Sequence, residues 1–360
     1  MAKALVTGGC GFIGSALIRH LVGRCGASVV NLDALTYAGT LGSVDEVSRK
    51  PNYLFVRGDI CDRDLVHCLL DRHRPQWIFH LAAESHVDRS IDDPLTFVRT
   101  NVMGTATVLD AALDYYLSLD EHGRGAFRLI HVSTDEVFGS LGDTGLFNEE
   151  TPYDPSSPYA ATKGGADHLA RAWHRTYGLP VIVTNCSNNY GPFQFPEKLI
   201  PLMILNAWKG DELPVYGVGA NIRDWLFVED HARALVAVAE GGKPGATYGI
   251  SGNAERRNID VVHAICDALD RRLGRLSQGP RRALVRFVPD RPGHDMRYAM
   301  DSSRITNELN WRPSVDFTEG LERTVDWYLS RRDWWEPLVE AHQALRRAGL
   351  KRAGSFSAPR

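Results

Sequence analysis

The sequence predicts an α/β fold: a doubly wound parallel sheet with a smaller C-terminal α/β lobe for a substrate. Three observations lead there. A glycine-rich turn joins an apolar run to an apolar helix near the N-terminus, short β-branched runs then alternate with helical patterns, and prolines break that rhythm after Cys186.

Six runs read as strands: Ala4-Leu5-Val6, Val29-Val30-Asn31-Leu32, Tyr53-Leu54-Phe55-Val56, Trp77-Ile78-Phe79-His80, Leu129-Ile130-His131-Val132 and Val181-Ile182-Val183. Each is short and largely apolar, which suits strands covered on both faces. The helical stretches between them imply parallel pairing through right-handed crossovers. Pro192, Pro196, Pro201 and Pro214 then cut the chain into shorter elements. We therefore expect a nucleotide-binding domain over residues 1–186 with later returns near 223–250, a second lobe over 187–330, and a basic flexible tail over 345–360. Trp334 and Trp335 are expected to pack rather than to bind.

Composition narrows the function classes. With 41 basic and 44 acidic side chains in 360 residues, the formal charge of −3 offers no field to draw nucleic acid or a membrane surface, so small ligands are the expectation. The six cysteines contain no Cys-x-x-Cys pair, and the chain opens on a strand without a charged and apolar leader, which predicts a reduced, cytoplasmic protein. No stretch approaches the roughly 18 apolar residues of a membrane span.

Gly8-Gly9-Cys10-Gly11-Phe12-Ile13-Gly14 lies between the first strand and its helix. Absent side chains let the backbone approach a pyrophosphate, which then rests on the unpaired N–H groups at the helix start. The second strand ends in Asp33, where a carboxylate can accept from adenosine ribose hydroxyls, and Ala34-Leu35-Thr36-Tyr37 has no basic residue for a 2′-phosphate. The pattern predicts NAD rather than NADP. Asp59-Ile60 and Leu81-Ala82-Ala83 close the third and fourth strands at the rim where such sheets bind ligands. Asp59 either meets adenine or caps the helix that begins near Asp62.

Ser157-Pro158-Tyr159 begins a helix with a capping serine and a first-turn proline, and Lys163 follows Tyr159 by four residues on the same face. An ammonium beside a phenol is expected to lower a pKa that starts at about 10, which makes Tyr159 a candidate general base, and Lys163 can also hold the nicotinamide ribose. Ser133-Thr134-Asp135-Glu136 lies just past the fifth strand's apolar body. Adjacent carboxyls facing a sugar would have their pKa values driven apart, so that one is an acid and the other a base, as dehydration requires. Glu84-x-His86-x-Asp88 has the look of a metal site, but hydride chemistry needs no Lewis acid and no metal is expected.

Ser133-Thr134-Asp135-Glu136-Val137-Phe138-Gly139 resembles the signature of the dTDP-glucose 4,6-dehydratases, within the extended short-chain dehydrogenase/reductase superfamily with its Rossmann fold. The likeness runs from Lys3 to about Trp327. It recurs at residues 33–39, 80–90 and 185–192, at Phe195-Pro196-Glu197-Lys198-Leu199, and at Asp290-Arg291-Pro292-Gly293-His294-Asp295. Phe138 stands where many members have tyrosine, and Ala161-Thr162-Lys163-Gly164-Gly165 departs from the commoner Ala-Ser-Lys-Ala.

What the resemblance implies is a lyase that converts a nucleotide-activated hexose, first of all dTDP-glucose, to its 4-keto-6-deoxy form with NAD reduced and restored in one turnover. Tyr159, with Thr134, would take the O4 proton, Glu136 the C5 proton, and Asp135 would protonate the departing C6 hydroxyl. Leu35, Thr36, Leu81, Ala82, Ala83, Thr100 and Asn189 would border the cofactor, and Ser85 the sugar. Asn188, Lys198, Leu199, Arg223, Asn258, Arg291 and His294 would hold the nucleotide diphosphate, with Pro214 and Tyr216 beside the base. The segment Thr96 to Leu117 would contribute to a homodimer. A nucleotide-sugar 4-epimerase would share the NAD site without needing Asp135 and Glu136, and a non-catalytic NAD sensor would need none of the reacting groups. Thymine and uracil differ by one methyl, which the sequence does not decide.

Overall fold

The computed structural model describes residues 2–290 and 293–347. In chain order the elements are β1 (Lys3–Thr7), α1 (Phe12–Gly23), β2 (Ser28–Asp33), α2 (Asp45–Ser48), β3 (Tyr53–Arg57), α3 (Arg63–His73), β4 (Trp77–His80), α4 (Val87–Asp92), α5 (Pro94–Phe97), α6 (Thr105–Ser118), α7 (Glu121–Ala126), β5 (Arg128–Thr134), α8 (Pro158–Tyr177) and β6 (Val181–Cys186). Then come β7 (Asn188–Tyr190), α9 (Leu199–Lys209), β8 (Leu213–Tyr216), β9 (Ile222–Phe227), α10 (Val228–Gly241), β10 (Thr247–Ile250), β11 (Glu255–Arg257), α11 (Asn258–Leu273), β12 (Val285–Val288), α12 (Ser303–Leu309), α13 (Phe317–Ser330) and α14 (Arg332–Arg347).

All six expected strands form. They join β10 in a seven-stranded sheet ordered β10-β6-β5-β4-β1-β2-β3, parallel throughout. The winding reverses between β1 and β4, where Thr7 stands opposite His80, so the crevice of a doubly wound sheet opens at their carboxyl ends. β10 escapes the pattern search because its Tyr248-Gly249 centre interrupts a run of only four residues. One face of the sheet packs on α1 and α10 through Leu17, Leu21, Leu235 and Val238, the other on α3, α6 and α8 through Leu69, Leu109, Tyr115 and Ala170. A separate core of Met203, Ile204, Ile265, Leu269 and Val325 gathers α9, α11 and α13, with Trp334 and Trp335 buried in it.

Three local differences from the sequence reading have physical reasons. The return to the main sheet uses α10 and β10 only, because β9 hydrogen-bonds to β7 and β11 in its own three-stranded sheet. The helix expected from Thr96 to Leu117 contains a π-helical turn over Val98–Gly104, where buried Asn101 spends its side chain on neighbouring segments. Residues 345–347, read as tail, close helix α14, and the rest of that tail lies outside the described residues.

Gly8 sits at φ +72°, and a Cβ there would lie 2.7 Å from the Ala82 main chain. This approach docks the glycine turn on the strand-end segment after β4. Gly8→Ala is therefore expected to cost about 1–3 kcal/mol in strain alone, read as a lower denaturation midpoint; an unchanged midpoint would contradict the packing.

Candidate active site

A cavity follows the carboxyl rim of β1, β4, β5 and β6 and is lined by Gly8, by Gly11 to Gly14, by Leu81 to Ser85, and by Thr134, Glu136, Tyr159, Lys163, Asn188 and Lys198. At its nucleotide end, α1 starts at Phe12 with Gly11 as cap and no side-chain acceptor, so the first-turn N–H groups have no partner within the helix. A Cβ on Gly11 would meet only Gly8 O, at 3.3 Å, which leaves the floor of the turn open to a ligand. Asp33 is buried, and its two oxygens accept from Cys10 N and Leu35 N, each at 2.8 Å. Burial raises its pKa, and those two donors partly offset the rise. Further lone pairs remain for hydroxyl donors. This donor set fits NAD.

Of the expected cofactor residues, Gly8, Gly11, Phe12, Ile13, Gly14, Asp33, Thr36, Asp59, Ile60, Leu81, Ala82, Ala83, Ser85, Thr100, Tyr159, Lys163 and Asn189 line the cavity. Leu35 does not, because its N–H is spent on Asp33 at a backbone φ of +54°. Asp59 is not the helix cap; Asp62 caps α3 by accepting from Leu65 N, while Asp59 holds Cys61 N and Arg99.

The reacting groups come together where β5 ends beside α8. Ser157 caps α8 by accepting from Ala160 N, which sets Tyr159 and Lys163 one turn apart on the face turned to the sheet. Lys163 Nζ donates to Val132 O at 2.8 Å, and Tyr159 and Thr134 both line the cavity beside it. Asp135 is only 1% exposed and stands behind the lining, with Oδ1 at 3.4 Å from Thr134 Oγ1 and Oδ2 without a hydrogen-bond partner among the described residues.

Electrostatics separates these groups. Burial, then the neighbouring Glu136 charge, lifts the Asp135 carboxyl well above the usual range, which keeps its proton on. The expected lowering of Tyr159 is reversed: burial and the Glu136 charge raise it well above 10, and the Thr134 hydroxyl offsets only part of this. The reason is that Tyr159 shares a dry site with carboxyls that favour its neutral form.

On the lobe side, Arg223 is 5% exposed and gives its guanidinium to the main-chain oxygens of Ile222 and Asp295, stacked 4.1 Å over the Tyr298 ring. Asn188 and Asn258 each keep a buried Oδ1 with no partner among the described residues, ready for a ligand donor. Lys198 Nζ donates to Ser85 O, and His294 bonds Asp290 and meets the Tyr216 ring edge-on. Leu199, Pro214, Tyr216, Arg223, Asn258 and His294 lie off the cavity lining, while Arg291 falls outside the described residues. Among the described residues no cluster of three metal-ligating side chains occurs; His86 instead caps α4 and faces Glu197.

Sequence reasoning passed over a buried polar chain beneath the cavity. Ala82 N donates to Thr7 Oγ1, Thr7 Oγ1 meets His80 Nδ1 at 2.8 Å, and His80 Nε2 meets Thr105 Oγ1 at 3.0 Å. Thr105 donates to Asn101 O, so His80 must donate through Nε2 and accept at Nδ1. Asn101 Nδ2 then donates to Thr162 Oγ1, and Thr162 donates to Tyr159 O. These residues sit inside apolar stretches whose periodicity predicts packing alone.

A family model described as GDP-mannose 4,6 dehydratase matches residues 5–324. A dTDP-glucose 4,6-dehydratase of Escherichia coli is 53% identical over 359 residues, covering 97% of this chain and 99% of that protein. DesIV, a dTDP-glucose 4,6-dehydratase of Streptomyces venezuelae solved with NAD bound, aligns at TM-score 0.85 and 46% identity over 93% of this chain and 99% of its own. A Thermus thermophilus UDP-glucose 4-epimerase solved with NAD aligns at TM-score 0.79 and 27% identity, over 91% and 99%.

The raised Asp135 pKa has a consequence for stability. A carboxyl raised above its ordinary 3.8 contributes stability that is present below that pH and is lost as pH rises through the raised value. Asp135→Asn removes the titration, so the variant is expected to melt a few degrees above the parent at pH 8, with the gap closing toward pH 4. A gap that does not vary with pH would contradict a buried neutral Asp135.

Proposed function

The chain belongs to the dTDP-glucose 4,6-dehydratase family, and on that premise we propose that it converts dTDP-glucose to dTDP-4-keto-6-deoxyglucose with NAD as a resident cofactor. The observation that carries this reading is the pair Asp135 and Glu136 at the end of β5 beside Tyr159, one carboxyl sealed behind the cavity and the other lining it.

Gly8, Gly11, Phe12, Ile13 and Gly14 would hold the cofactor's pyrophosphate, Asp33 its adenosine ribose, and Lys163 its nicotinamide ribose. When bound, NAD supplies a hydride acceptor at C4 and returns the hydride to C6, and its oxidised ring carries a positive charge that favours the Tyr159 phenolate. Tyr159 Oη takes the O4 proton, with Thr134 Oγ1 holding the same oxygen. A ketone at C4 acidifies C5, and Glu136 removes that proton and gives one back to C5 once C6 has been reduced. Asp135 keeps its proton until the C6 hydroxyl departs, and reaches the sugar through the Thr134 hydroxyl it touches. Arg223, Asn188, Lys198, Asn258, Arg291 and His294 hold the nucleotide. Thymine is the base because the nearly full-length relatives carry dTDP-glucose in their names.

The protein works in the cytoplasm as a homodimer. Six unpaired cysteines suit a reducing compartment, and among the described residues no helix is long and apolar enough to cross a membrane. Along α4 to α6, Ile91, Leu95, Val98, Met103 and Leu117 expose apolar side chains in the segment expected to pair with a second copy.

Incubation with dTDP-glucose is expected to give a product lighter by one water in the mass spectrum; dTDP-galactose of unchanged mass would instead establish an epimerase. Glu136→Gln should still reduce bound NAD on mixing with substrate while dehydration falls by about 10²–10⁴-fold, and normal dehydration would remove Glu136 from the scheme.

A further inference from the structure

Asp167 lies one turn beyond Lys163 and two beyond Tyr159 on the same face of α8, and it is 0% exposed. Oδ1 is 3.0 Å from His131 Nε2, and Oδ2 accepts from Tyr153 Oη at 2.8 Å and Asn185 Nδ2 at 3.3 Å. The same Asn185 amide donates to Thr134 O at 3.0 Å. Asp167 is not part of the cavity lining, so its role is indirect.

A carboxylate this deep needs a balancing cation. His131 is unsuited, because its Nδ1 is buried without a partner among the described residues and a second proton there would have no acceptor. Arg171 touches the outer side of the group through Tyr153 Oη at 2.7 Å. The inner side has no lysine or arginine within ion-pair distance among the described residues; the buried cation on that face is Lys163, one turn back along α8, itself 5% exposed and bonded to Val132 O, next in the strand to His131.

We propose that Asp167 is a positioning residue: a buried counter-ion that keeps Lys163 protonated beside Tyr159 and, through Asn185, fixes the main chain of Thr134 under Asp135 and Glu136. The kinetic part rests on the reading of Tyr159 and Lys163 as reacting groups. Burial pushes the Lys163 amine down, and the Asp167 charge is the main influence opposing it. Burial alone would raise Asp167, yet the hydrogen bond and electrostatic pull of His131, then the Lys163 charge and the Tyr153 hydrogen bond, bring it below the usual carboxylate range. The other titratable groups facing Lys163 are Tyr159 on α8, His80 on β4, His131 on β5 and Cys186 on β6. Burial lowers both histidines and lifts the Cys186 thiol to about 12, so these stay neutral and Asp167 carries the one negative charge of the set.

The test has two arms. Without the Asp167 charge, Lys163 loses its proton at lower pH, so in Asp167→Asn the alkaline limb of the kcat profile should move down by on the order of one pH unit, and Asp167→Glu should move it back. Uniform loss of kcat at every pH, with unmoved limbs, would leave only a structural role and overturn the proposal. The second arm reads folding alone and holds whatever the substrate proves to be. Lys163→Met strands a buried carboxylate and should lower Tm by roughly 5 °C or more, while Lys163→Met with Asp167→Asn should recover at least half of the loss. A double variant no more stable than Lys163→Met would overturn the pairing even if Asp167→Asn by itself failed to fold.

Discussion

Desolvation at the carboxyl ends of β4, β5 and β6 is the constraint on which the rest depends. Parallel strands bring their C-terminal residues to one rim, and α8 packs beside β5 and β6 there, so the polar side chains that do not face the cavity leave water. Neutral groups meet the demand by chaining hydrogen bonds, as Thr7, His80, Thr105, Asn101 and Thr162 do. Charged groups meet it by sharing one buried helix face, as Lys163 and Asp167 do a turn apart, or by holding a proton, as Asp135 does. The result is a set of titratable groups whose proton positions are set before any sugar arrives.

The same constraint explains why so much of the fold was legible. Five strands buried on both faces, and the half-buried edge strand β3, show as apolar runs, and the glycine turn, Asp33, the Ser157 cap and the Tyr159 to Lys163 spacing are all local patterns. What stayed hidden needs contacts distant in sequence. β10 joins the main sheet after the intervening β7 to β9, and Asp167 meets His131 and Asn185 from three different elements. The phenol's raised pKa was misjudged for a related reason: Lys163 is its helix neighbour, but Glu136 and burial act from the strand side and prevail. One signal was available and unused, since Asp167 continues the four-residue spacing of Tyr159 and Lys163.

Asp135 illustrates the tension between stability and chemistry. A buried carboxyl with one oxygen unpartnered destabilises the fold wherever it must ionise. Its retention beside Glu136 makes sense only if a stored proton is used. This separates a dehydratase from an epimerase of the same fold, which shares the dinucleotide site, because inversion at C4 has no leaving group to protonate.

The central claim is that one sugar is oxidised, dehydrated and reduced without leaving the site. It is tested most directly with dTDP-glucose carrying deuterium at C4. The label is expected to appear in full at C6 of the product, with solvent hydrogen at C5. Loss of the label to solvent, or its retention at C4, would contradict a single visit in which the same hydride departs and returns.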